Sequence, residues 1–233
     1  MKRVFNTLSQ KWPEYLLEIL VITIGILGAF LLNSWNEGRK STNATKASLT
    51  NVLQDLRQDS VQFHQHATNS ERTAGHLGKT MRNLLNQGAD DSLGYYFDRS
   101  KGFLVAVVHN SAFQSMNEQG LVANIKDDEL RLELTRYFNF VQPNVEKLRE
   151  FEFTRLQSTV NDIDTDAAID MGKVTVEDLK LDYSIVRRIL LEPTNFRKLY
   201  QYRETQRFLA QRSLRSVEVN AHLIQSLEQY LNQ

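Results

Sequence analysis

The most strongly patterned stretch of the chain runs from Tyr15 to Leu32, YLLEILVITIGILGAFLL, an apolar run interrupted by one charge, Glu18. A run of this length predicts a transmembrane helix. Trp12 and Trp35 bracket it, and the helical path between them is about 35 Å, the hydrocarbon thickness plus part of each interface, where indole rings settle. Pro13 suits a helix start because its missing amide would be unpaired there anyway, and the polar run Asn33, Ser34, Asn36, Glu37, Gly38, Arg39, Lys40 closes the segment. The chain therefore divides into a juxtamembrane segment (1–14), a membrane helix (15–35), a polar joint (36–48) and a domain (49–233).

Beyond the joint the apolar positions recur every three or four residues. Leu49, Val52, Leu53, Leu56, Phe63 and Ala67 lead into Ala74, Leu77, Met81, Leu84 and Leu85. This predicts one long amphipathic helix with a weak point near Gly75 and Gly78, ended by Gln87-Gly88-Ala89-Asp90-Asp91. A loop is expected from there through Gly94 toward Gly102, and Phe103 to Val108, which periodicity cannot assign, is read as a buried helical turn with a strand as the alternative. Ser111 is expected to cap a short helix carrying Phe113 and Met116. Asp127 and Asp128 start another whose face is Leu130, Leu134, Tyr137, Phe138 and Val141. Pro143 should kink or break it, after which the face resumes at Val145, Leu148, Phe151, Phe153, Leu156 and Val160. Val176 to Leu191, and Asn195 to Leu231 capped by Thr194, complete the set. The expected fold is all-α: a single N-terminal transmembrane helix followed by an antiparallel helical bundle.

Composition narrows the function classes. Lys and Arg (28) balance Asp and Glu (28), so the net basic surface that nucleic-acid binding requires is missing. With no cysteine, disulfides, thiolate metal sites and cysteine nucleophiles are excluded together. The apolar run is too long for a cleaved signal peptide, and no small-x-small site precedes Trp35. Lys2, Arg3 and Lys11 on one side of the span are matched by Arg39, Lys40 and Lys46 on the other. The free amino terminus tips this tie toward N-inside, placing the domain outside the cytoplasm in a bacterial inner membrane.

Within the span, Glu18 is expected to snorkel to the interface or to meet a polar contact on a partner helix, and Gly25 and Ala29 form a small-xxx-small pair that permits close helix approach. A homo-oligomer, most simply a parallel dimer, is the expected assembly beside the lipid bilayer.

The tract Tyr15-Leu16-Leu17-Glu18-Ile19 through Asn33-Ser34-Trp35-Asn36-Glu37 resembles the YLLEI–apolar–NxWNE anchor of a family of uncharacterised bacterial single-span membrane proteins. Ser111 to Met116, Gly120-Leu121, Asp128 to Arg131 and Tyr137-Phe138 resemble that family's central helical hairpin. The resemblance implies the architecture and carries no chemistry.

Candidate chemistry is sparse. Thr73 to Thr80, TAGHLGKT, approaches a phosphate-binding loop but has Thr73 where the pattern needs glycine, and no strand precedes it, so it is read as a bent, exposed helical stretch. Asp162, Asp164 and Asp166 have calcium-loop spacing, with Asp170 at the ninth position, yet Ala167 replaces the turn glycine and Lys173 the bidentate glutamate. His64 and His66 lie about 200° apart on a helix, and His76, His109 and His222 are isolated, so all five are read as surface or partly buried residues without a metal. The chain is acidic from Asp162 to Asp182 and basic from Arg187 to Arg215, with Arg203, Arg207, Arg212 and Arg215 mostly on a shared side; this is read first as a solvated or internally paired face, the alternative being a docking stripe for an acidic protein partner, a small anionic ligand or headgroups. With no output domain before Gln233, a complete receptor is not expected. The reading is a membrane-anchored binding, sensory or adaptor module without catalysis or cofactor; the alternative is a metal-dependent enzyme built on Asp162–Asp170.

Overall fold

A computed structural model describes residues 2–102, 104, 106–156, 163 and 182–232, and all regular structure among them is helical. The first helix, α1, spans Lys2–Leu85 without interruption, a rod of roughly 125 Å at 1.5 Å per residue. The polar joint is therefore helix, and Gly75 and Gly78 do not break it. Thr23, Thr42, Thr45, Thr50, Thr68 and Thr80 each donate their hydroxyl to the carbonyl four residues back, so side chains that could compete with the ladder are absorbed into it. After Leu85 the chain turns at Gln87, which holds φ +50°, and Asn83 Nδ2 donates to the Ala89 carbonyl across the turn.

Three segments differ from the sequence pattern. Asp90–Ser100 is a helix, α2, where a loop is expected: Asp90 and Asp91 occupy its first turn, where carboxylates offset the exposed amides. Gly102, Leu104 and Ala106–Asn110 form neither helix nor strand; Ala106 is buried while Leu104 and Val107 face outward, so no helical turn exists there among the described residues. Ser111 is the first residue of α3 (Ser111–Glu118) and Asn110 holds the cap position.

A 3₁₀ turn (Leu121–Asn124) follows Gly120, whose φ of +70° a side chain would strain, and leads to α4 (Asp128–Arg136), where Asp127 caps by accepting from the Leu130 amide at 3.0 Å. Pro143 does not break the chain. The helix widens into a π turn over Tyr137–Val141, with the Gln142 amide reaching the Tyr137 carbonyl, and continues as α5 (Gln142–Leu156). One wider turn accommodates the missing amide and the ring, as proline otherwise would not allow. Then come α6 (Tyr183–Leu191), capped by Asp182, and α7 (Pro193–Leu231), where Pro193 takes the first helical position and Glu192, rather than Thr194, precedes it.

Helix α7 runs antiparallel to α1: Arg57 meets Glu228, His66 meets Ser213, and Gly78 meets Arg203. Buried positions on α1 include the series 45, 49, 52, 56, 59, 63, 66, 70, 73, 77, 80 and 84, which alternates by four and three, with Leu53, Ala67, Ala74 and Met81 buried beside it. On α7 the positions 199, 202, 206, 209, 213, 216, 220, 223 and 227 follow the same rule, with 213 and 216 half-buried. Such a 3.5-residue period keeps one seam facing its partner along the whole length. Two apolar clusters sit on the seam. Near the joint, Leu49, Val52 and Leu56 pack with Phe113, Leu134 and Leu223; at the far end, Leu77 and Leu84 pack with Phe97, Val186, Leu190 and Tyr202.

The apolar face expected on α5 is buried only in part: Leu156 is inside and Val145 and Leu148 are half-buried. Phe151 and Phe153 are 40% and 48% exposed, whereas Gln142 and Glu152 are 2% exposed, because what α5 meets across the seam is polar. Leu85 likewise points outward at the end of α1.

Helices α2 and α6 approach closely only because residue 94 has no side chain. A Cβ there would lie 2.6 Å from a Tyr183 ring carbon, and Tyr183 donates its hydroxyl to Asp98 at 2.5 Å. Gly94→Ala should therefore cost about 1–3 kcal/mol in thermal unfolding by overpacking. In a Tyr183→Ala background the same change should cost far less; equal cost in both backgrounds would show that the ring is not what Gly94 admits.

Candidate functional site

Between the two apolar clusters the seam is mostly polar, around the buried Phe63 and Leu209. On α1 the positions are Asp59, His66, Ser70 and Thr73; on α7 they are Gln206, Ser213, Ser216 and Asn220. A buried polar group must find partners or cost stability, and most of these do.

The centre is His66. Its Nε2 is 2.8 Å from Glu152 Oε2 and its Nδ1 is 2.8 Å from Ser213 Oγ, while Gln206 Nε2 donates to Glu152 Oε1 at 3.3 Å. An ionised Glu152 only accepts, so the imidazole donates through Nε2 and, when neutral, accepts the Ser213 hydroxyl at Nδ1. This order of serine, histidine and carboxylate is that of a nucleophile relay. Ser213, however, lies inside α7, where its own amide is committed to the helix, and the adjoining cavity is about 20 Å³, the room of a single water. The arrangement works as a clamp joining α1, α5 and α7.

A second clamp lies two turns nearer the joint. Asp59 Oδ1 accepts from the His109 amide at 2.9 Å and meets His109 Nδ1 at 2.7 Å, and Gln142 Nε2 donates to the His109 carbonyl at 2.9 Å. Asp59 thus ties the irregular segment after α2 to α1, and Gln142 ties it to α5. Burial pushes the Asp59 carboxyl up to about 6, against the lowering effect of its His109 contacts, with Asp55 adding to the rise. Asp59 Oδ2 and the Tyr137 hydroxyl are buried without a hydrogen-bond partner among the described residues, and burial together with the Asp59 charge holds the Tyr137 hydroxyl well above its usual range.

Two clefts open along the seam, one beside this layer and one toward the far cluster. One, of about 560 Å³, lies between α4–α5 and α7, with Val141, Val145 and Leu148 facing Arg212, Arg215 and Val219. The other, of about 730 Å³, lies between α1 and α7 and carries Arg82, Arg203 and Arg207. The four arginines read as one stripe therefore face two clefts. Arg203 and Arg207 are about 40° apart around α7, whereas Arg212 is about 180° from Arg203.

In the N-terminal part of α1, Trp12, Glu18, Ala29 and Trp35 are exposed, and nothing lies within 4 Å of a Cβ at Gly25. This stretch is long and apolar enough to cross a membrane and is uncovered by the rest of the chain. Thr73 to Thr80 is helix with one face inside: Thr73, Ala74, Leu77 and Thr80 are buried, while Gly75 and Lys79 are exposed. Of the calcium-like loop only Ile163 is described, buried in the far cluster; Asp162, Asp164, Asp166 and Asp170 lie outside the described residues. Among the described residues no group of three or more histidine or acidic side chains could hold a metal. His66, expected near the surface, is 5% exposed, and the signal that marks it is a polar residue on the 3.5-residue stripe.

No family model, curated protein or solved structure matches the chain.

The raised Asp59 carboxyl makes stability depend on pH. Its proton is held more tightly in the folded chain than in the unfolded one, so the favourable contribution is complete below about 4 and is lost as pH rises through about 6. The swing should be on the order of 2–3 kcal/mol. Asp59→Asn, which keeps an acceptor for the His109 amide, should flatten the stability profile between pH 4 and 7; a profile identical to the parent would remove Asp59 as its source.

Proposed function

We propose that this chain is a single-span protein of a bacterial inner membrane whose antiparallel helical bundle acts by binding, as a sensory or adaptor module, without catalysis. The observation that carries the reading is the continuity of α1, in which one unbroken helix joins the uncovered apolar stretch to the polar layer. Any event that rearranges the clamps on His66 or Asp59 acts on the same rigid rod as the span, and packed helices shift between discrete positions rather than deform smoothly. The slim excess of positive charge ahead of the span favours the bundle lying outside the cytoplasm. The resemblance of the Tyr15–Glu37 tract to the single-span family fits the same architecture.

Assembly follows from what is left uncovered. Leu49, Val52, Leu53 and Leu56 are buried within one chain, so a parallel homodimer would rest on the span and the joint. Glu18, Ile22, Gly25, Ala29 and Leu32 share one stripe there, and tethering two copies in one membrane raises their effective concentration enough for a weak contact to hold.

Single cysteines at Thr23, Gly25, Ile26 and Ala29, crosslinked in membranes, test both parts. Gly25 and Ala29 should crosslink more than Thr23 and Ile26, and the absence of a face preference would refute the dimer. Adding His66→Gln should change the Gly25 yield about twofold or more, the size of a modest coupling between distant sites. An unchanged pattern would refute the sensory reading. A cytoplasm-dependent reporter fused after Gln233 should stay silent, and strong signal would reverse the orientation.

A further inference from the structure

We propose that the cleft between α4–α5 and α7 binds a free single-chain carboxylate, its head on the arginines and its hydrocarbon body along the apolar wall. This rests on the binding reading above and names its ligand. The apolar wall is Val141, Val145 and Leu148 from one side and Val219 and Leu223 from the other, and at about 560 Å³ the cleft is within the usual size of small-molecule sites. Val219 is 40% exposed, so this wall is open to solvent rather than closed by the fold. Arg136, Arg212 and Arg215 line the same cleft, and among the described residues none of them pairs with a carboxylate; Arg212 lies over the Phe208 ring.

Against these three cations stands one acid. Glu133 Oε1 lies 3.5 Å from His222 Nδ1, a contact that is ionic only with a protonated imidazole, and its Oε2 is buried without a partner among the described residues; His222 lies ten residues beyond Arg212 on α7, so the acid stands toward the other end of the cleft. The cleft is thus cationic along most of its length and apolar beneath, the complement of an anionic head on a hydrocarbon tail. A guanidinium pair meets a carboxylate in a planar, bidentate way that a point charge does not.

The ligand must come from solution and not from the bilayer. The cleft adjoins Phe63 and His66 through the small cavity beside Arg212, and along α1 those residues lie about 40 Å beyond Trp35. A phospholipid in the membrane of the anchor does not span that distance.

Hydrogen exchange of the full chain in nanodiscs of zwitterionic lipid, with octanoate as the probe, reads the site. Octanoate should slow exchange about threefold or more in peptides covering 141–148 and 212–223, local opening being what such protection reports. Arg212→Gln with Arg215→Gln should remove the effect, and Arg136→Gln, on the opposite wall, should weaken it; unchanged exchange across 45–60 verifies that each variant is folded. Equal protection by octanol would show that charge is not read, and equal protection by acetate that the apolar wall is not; either outcome overturns the proposal. Protection by anionic phospholipid in the nanodisc, or by raised protein concentration without octanoate, would assign the cleft to headgroups or to a second copy and overturn it too. Loss of the octanoate effect with an intact Gly25 crosslinking pattern removes this ligand only and leaves the sensory reading standing.

Discussion

The structure depends on the seam between α1 and α7. Neither helix could bury a useful area alone, and the shorter helices attach to the surface that the pair creates. Because the seam positions on both helices alternate by four and three, their side chains face each other over about eight turns without drifting around the axis. An ideal 3.6-residue stripe would rotate about 20° per heptad and expose one end of the contact. The same rule makes the seam stiff, since a slide along it must proceed by whole turns.

An apolar seam of this length would be strong but poorly registered. Leucine and valine pack acceptably after a shift of one heptad, whereas Asn220 donating to the Leu56 carbonyl at 2.6 Å, and His66 held between Ser213 and Glu152, tolerate no shift. Buried polar residues at seam positions serve this purpose in coiled coils, at a cost in stability. Here the polar layer also does what two helices alone would not. Glu152 and Gln142 bring α5 onto the seam, and Asp59 brings in the segment after α2, so four parts of the chain meet at one level.

That level is also where the cleft between α4–α5 and α7 opens. Polar side chains pack less completely than branched apolar ones, and α5 leans on α7 through Glu152 and Gln206 while its valines and Leu148 stay partly free. The space beside them is the cleft. The arginines around it reflect the outer side of α7, which has to be charged to stay soluble, and the seam geometry sorts them: residues on one flank face α1, residues on the other face α5.

The sequence by itself determined the helices and much of the core. Leu49, Val52, Leu56, Phe63, Leu77 and Leu84 are buried as their spacing predicts, since burial of an apolar stripe is a local property of a helix. The uncovered apolar stretch from Leu16 to Leu32 was equally plain. Helix α2 was obscured by Gly94, which signals a turn until Tyr183 is seen lying where its side chain would be. Pro143 reads as a break unless the π turn before it is known. Only the tertiary structure decided that Glu152 and His66 are inside while Phe151 and Phe153 are outside. Each of those charges can be buried only because the other, with Ser213 and Gln206, is there to pair with it. Pairing across 86 residues of chain leaves no mark on local spacing.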